Sequence, residues 1–122
     1  MELKLVPENA ENVIPYEVKK NNLDLNDGDI IINLAKRERD DATHIDFCFD
    51  PFGFLVMGTD TGMKYVAQVD IPVRQYKEET VENPDFNADE EESEMNRKTI
   101  TKKVAVPFDI NRCTLTLWEV ED

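Results

Sequence analysis

One histidine, one serine, two cysteines and four glycines are all that 122 residues offer of the usual catalytic and phosphate-cradling residue types. The lone serine, Ser93, lies in an acidic run far in sequence from His44, and negative surroundings oppose the oxyanion of acyl transfer, so a serine hydrolase has no support. Cys48 and His44 are four residues apart, about 13 Å along an extended strand, beyond direct proton transfer. The glycines, Gly28, Gly53, Gly58 and Gly62, form neither a phosphate-binding loop nor a dinucleotide fingerprint. Apolar runs stop at three or four residues, as in Ile30–Ile32 and Phe54–Met57, and the N-terminus has no basic segment followed by an apolar one. Neither a membrane span nor an export signal is expected, so a cytoplasmic setting is expected, with Cys48 and Cys113 read as buried thiols in preference to a bridge, which their spacing alone leaves open.

Basic charge is also scarce. Fourteen Lys and Arg face 27 Asp and Glu, a formal net charge of -13 with a pI near 4.4. Nucleic acid and anionic membranes are therefore poor partners, and basic surfaces or cations good ones. A small basic patch, Ala35 to Arg39, is offset at once by Asp40 and Asp41 and reads as a solvated turn or short helix.

What the chain has is alternation. From Met63 to Gln75 apolar residues occupy every second position, Met63, Tyr65, Ala67, Val69, Ile71 and Val73, the period of a half-buried strand, with Pro72 at an edge, a bulge or beyond the paired region. Near the C-terminus Cys113, Leu115 and Leu117 alternate with Thr114, Thr116, Trp118 and Val120, predicting a strand covered on both faces. Shorter strands are expected at Leu3–Val6, Ile14–Val18, Asp29–Leu34 and Thr99–Val106. "VDIPVR" at Val69 and "VAVPFD" at Val104 look like two similar strand ends, candidates for neighbours in one sheet.

The segment "HIDFCFDPFGFLVMG" predicts a hairpin. Pro51 suits a type I turn and Gly53 a following left-handed position, so Phe49 should face Leu55, Cys48 Val56, and Phe47 Met57. His44, Asp46 and Asp50 share one side of this strand and form the weak alternative for a metal site. Successive residues there are about 6.6 Å apart, too far for neighbours to close a tetrahedral site unaided, so the expectation is a structural hairpin with no metal and no cofactor. "LDLNDGDIIIN" at Leu23 superficially resembles a calcium loop, but the register puts Leu23, Leu25 and Leu34 where oxygen ligands belong. An Asp-Gly turn is the simpler reading.

Lys77 to Arg97 carries nine acidic residues against two basic ones, over half of the net charge. Asn87 followed by Glu90 has the form of a capping box, so a short helix could start there, although no apolar stripe supports it. The expected architecture is all-β: one domain over 1–122, an antiparallel sandwich or partly open barrel with a long acidic connection at 77–97 and little helix. The expected role is a non-enzymatic interaction or structural protein, such as an assembly component, meeting a basic protein surface through Asp89, Glu90, Glu91, Glu92 and Glu94. Two alternatives stand beside it: an acidic decoy that inhibits a nucleic-acid-binding protein, and a metal- or carboxylate-dependent enzyme. Sequence spacing does not reveal which carboxylates meet across a sheet.

Overall fold

Dense β-branched and aromatic alternation gives, among the described residues, ten strands and two single turns of 3₁₀ helix, at Ala35–Arg37 and Ile110–Arg112. The computed structural model describes residues 1–59, 64–93 and 96–120. The strands are β1 (Glu2–Val6), β2 (Tyr16–Lys19), β3 (Asn22–Leu25), β4 (Ile30–Asn33), β5 (Thr43–Phe49), β6 (Leu55–Met57), β7 (Lys64–Ile71), β8 (Tyr76–Glu82), β9 (Thr99–Ala105) and β10 (Thr114–Trp118). They form a five-stranded sheet in the order β1-β10-β7-β5-β6, a three-stranded sheet β2-β3-β4, and a two-stranded ribbon β8-β9.

The two larger sheets share one core. Ile45, Phe47, Ala67, Val69, Ile71, Leu115 and Leu117 of the five-stranded sheet cluster with Leu23, Leu25, Ile32 and Leu34 of the smaller one. Cys113, Leu115 and Leu117 are fully buried, whereas Thr114, Thr116 and Trp118 on the opposite face are only half-buried, so β10 is covered by a second sheet on one side alone. The pairing is antiparallel except between β1 and β10, which run parallel. A parallel pair needs a long crossover, and here nearly the whole chain supplies it, since these are the first and last strands.

The hairpin after β5 has the expected register, Phe49 with Leu55, Cys48 with Val56 and Phe47 with Met57. Gly53 has φ +84° and its amide donates to Asp50 O at 3.0 Å. The β3–β4 turn passes through Asn26, Asp27 and Gly28 at φ +57°, +53° and +90°, and Asp24 Oδ1 accepts the Gly28 amide at 2.7 Å. The stretch that resembled a calcium loop is thus a turn whose Asp24 oxygen is engaged by its own backbone, with a further strand, β3, in front of it.

The alternation read along β7 breaks at one place. Phe47 pairs with Ala67 but Cys48 pairs with Tyr65, so Val66 is the extra residue of a bulge. Val66 and Ala67 are consequently both buried although adjacent, and Tyr65 turns to the opposite face, 47% exposed. Met63, the first residue of the expected alternation, lies outside the described residues.

The chain divides into two compact units, 1–74 with 108–122, and 75–107. The second unit is a β-ribbon, and the first part of the segment expected to be a connection at 77–97 lies in its strand β8. Acidic residues are depleted in strands, but here Glu78 faces Lys103 and Glu79 faces Lys102 across the ladder, and Lys103 Nζ lies 4.4 Å from the Tyr76 ring centroid. "VDIPVR" and "VAVPFD" are not neighbours: Pro72 follows the end of β7 and Pro107 lies just past the end of β9, in different sheets. A proline cannot donate to a ladder, so each marks where its strand stops.

Phe47 is the largest fully buried side chain of the shared core. Phe47→Ala should cost about 3–5 kcal/mol in urea unfolding with little change in the denaturant slope. A loss below about 1 kcal/mol would contradict the packing of the two sheets around this ring.

Candidate functional site

The face of the five-stranded sheet that points away from the core collects the polar members of each alternating strand. Register places His44 of β5 opposite Asp70 of β7, and Asp46 opposite Gln68. Asp70 in turn faces Thr114 of β10, and Gln68 faces Thr116. The His44 imidazole lies between two carboxylates, Nδ1 at 2.6 Å from Asp70 Oδ1 and Nε2 at 2.7 Å from Asp46 Oδ1. The same Asp46 oxygen accepts from Gln68 Nε2 at 2.9 Å, and Gln68 Oε1 accepts from the Trp118 indole N–H at 3.2 Å. Five side chains thus form one continuous hydrogen-bonded row across three strands.

The Asp70 carboxylate raises the His44 pKa above its ordinary 6.5 and Asp46 adds to this, against a smaller opposing effect of burial. Of the three residues of the weak metal alternative, His44 and Asp46 are brought together, but Asp50 is not with them. It closes the hairpin turn, where its Oδ1 accepts the Phe52 and Phe54 amides, both at 2.9 Å. Each imidazole nitrogen already faces a carboxylate oxygen, and among the described residues no group of three or more His, Cys, Asp or Glu has the arrangement of a metal site.

Beside this row the bulge opens a cleft of about 430 Å³, lined by Phe49, Tyr65, Val66, Trp118 and Val120, with Lys64 and Glu119 also on its wall. The Tyr65 and Trp118 rings are 6.1 Å apart at a tilt of 34°, a favourable aromatic pairing. Neither Asp70, Gln68 nor Trp118 could be assigned to this site from spacing, because all three join it through the register of strands distant in sequence.

The acidic residues proposed for partner contact occupy the far end of the β8–β9 ribbon. Asp89, Glu90, Glu91 and Glu92 are exposed, and Glu94 lies outside the described residues. No helix forms over the described residues here. Asn87 Oδ1 accepts the Asp89 amide at 3.0 Å, and Glu90 N donates to Asn87 O at 3.2 Å, which makes turns instead. Asn96, only 5% exposed, organises them: its Oδ1 accepts the Asn87 amide at 2.8 Å, and its Nδ2 donates to the carbonyls of Asn87, Glu90 and Glu91. Its backbone exchanges two hydrogen bonds with Ser93. A single asparagine within a charged run gives no periodic signal, so this role was not visible in the sequence.

Both cysteines are free and buried. Burial raises the Cys48 thiol, and it pushes that of Cys113 up to about 11, well away from a reactive thiolate. Three other charged groups meet after the 3₁₀ turn Ala35–Arg37, where Arg74 contacts Glu38 at 3.5 Å and Asp40 at 3.8 Å. No helix among the described residues is long and apolar enough to cross a membrane. No protein-family model matches the chain, nor does any curated protein or solved structure.

His44 is the sole histidine, so its titration can be followed directly by proton NMR. Its pKa should exceed 6.5, and Asp70→Asn should lower it more than Asp46→Asn does, because Asp70 makes the larger contribution. A group raised in the folded state adds stability that is complete below the unfolded pKa and fades as pH rises through the folded one. The stability difference between wild type and His44→Gln should accordingly shrink from pH 6 toward pH 8. A wild-type pKa at or below 6.5 would contradict the two carboxylate contacts.

Proposed function

We propose that the protein is a non-enzymatic interaction module, a β domain whose ribbon carries an ordered acidic tip to a basic surface on a partner protein. The observation that carries this reading is the make-up of the 75–107 unit. Among its described residues no apolar side chain is fully buried, the only buried side chain is Asn96, and four consecutive carboxylates at 89–92 are exposed. A two-stranded ribbon is marginal in water by itself, and a tip held by an asparagine hub is more ordered than a merely solubilising tail requires. Ordering before association lowers the entropy cost of binding, which favours recognition over simple solvation.

A cytoplasmic setting belongs to the same proposal and is supported by two free, buried thiols. The decoy alternative is the case in which the basic partner is itself a nucleic-acid-binding protein. The enzyme alternative gains an exposed His44 between two aspartates but, among the described residues, no Ser or Cys hydrogen-bonded to it.

Capture from cell extract tests the reading. Replacing Glu90, Glu91 and Glu92 together by Gln should release a partner that the intact chain retains, and raised salt should do the same. Stability should stay within about 0.5 kcal/mol of wild type, as expected for exposed positions. A captured protein that is acidic overall, or that binds the triple variant as tightly as wild type, would end the proposal. A competing nucleic acid that displaces the chain would identify the decoy form.

A further inference from the structure

The row from Asp70 to Trp118 contains a protonation requirement set by geometry. A neutral imidazole carries one N–H, and an ionised carboxylate only accepts. Contacts of 2.6 and 2.7 Å from the two nitrogens of His44 to two carboxylate oxygens therefore need both nitrogens to donate, the imidazolium form. With a single proton, one of these contacts sets a lone pair against a carboxylate oxygen and must open.

The consequence extends beyond His44. Asp46 Oδ1 is shared between His44 and Gln68, and the Gln68 amide uses its donor end toward Asp46 and its acceptor end toward the indole of Trp118. The amide cannot turn over without presenting an N–H to an N–H, so its orientation is tied to what Asp46 does. Trp118 and its neighbour Tyr65 line the cleft. We propose that His44 is the proton-sensing end of a relay through Asp46 and Gln68 that sets the position of Trp118, so that the shape of the aromatic cleft depends on pH.

The other charged groups around His44 bear on where the change occurs. On its own strand the neighbours are Asp46 and, just before β5, Asp41. β7 contributes Asp70, and β10 presents Thr114 with Arg112 before it. Arg37 and Arg39 line an adjoining hollow with His44, and Glu2 lies one strand further, opposite Thr114. The carboxylates in contact, Asp70 before Asp46, raise the pKa of His44. Losing its proton to solvent on going to alkaline pH leaves Asp46 and Asp70 without the cation between them, and the relay relaxes from that end.

One histidine and one tryptophan allow each end of the relay to be read separately. Over about pH 5.5 to 8.5, Trp118 fluorescence and the His44 ring-proton shift should titrate with a common midpoint above the ordinary 6.5 of histidine. Asp70→Asn should move both midpoints down together. His44→Gln should leave the fluorescence flat. Gln68→Met, which keeps the bulk but removes both hydrogen bonds, should leave the His44 titration in place while abolishing the fluorescence change, and circular dichroism verifies that each variant is folded. Wild-type fluorescence that does not change while His44 titrates would overturn the relay, and so would a fluorescence midpoint that persists in Gln68→Met.

Discussion

The register of β5 against β7 is the constraint on which the rest depends. It places Ile45 opposite Val69 and Phe47 opposite Ala67 on the core side, and His44 opposite Asp70 with Asp46 opposite Gln68 on the other. Because side chains alternate with a period of two, a slip of one residue would bury His44 and Asp46 and expose Phe47. The apolar face thus specifies the polar one: burying Phe47 is what brings a histidine and two aspartates together. The bulge at Val66 adds the remaining element, since it turns Tyr65 outward next to Trp118 and opens the cleft.

Features set by a few consecutive residues were legible. Asp50-Pro51-Phe52-Gly53 specified its turn and, through it, three pairings of the hairpin, because proline and glycine restrict the backbone locally. The burial of Cys113, Leu115 and Leu117 followed from simple alternation. Features set by distant strands were not legible. The parallel pairing of β1 with β10 and the meeting of His44 with Asp70 depend on which strands lie side by side, and short apolar segments of similar character do not encode that order. Tyr65 fits the same alternation as Ala67, and only the bulge, one extra residue at Val66 in their own strand, separates their faces.

The acidic segment shows how composition misleads when charge is balanced across a ladder rather than along the chain. Read linearly, Lys77 to Glu82 is a polar run with little to bury. Paired with β9, Glu78 and Glu79 face Lys103 and Lys102, and at these positions the repulsion that composition implies becomes attraction between strands. What repulsion remains is concentrated at the tip, where Asp89 to Glu92 have no facing strand. There the buried Asn96 amide draws the carbonyls of Asn87, Glu90 and Glu91 to one side, and the carboxylates of this stretch stay exposed to water. A helix over the same residues would satisfy the backbone equally well but would need an apolar stripe to hold it, which this stretch lacks. Turns gathered around one asparagine need no apolar surface, so the segment can be ordered and almost wholly charged at once. For surface recognition this matters physically: charges held in place lose less entropy on meeting a partner than the same charges on a mobile chain.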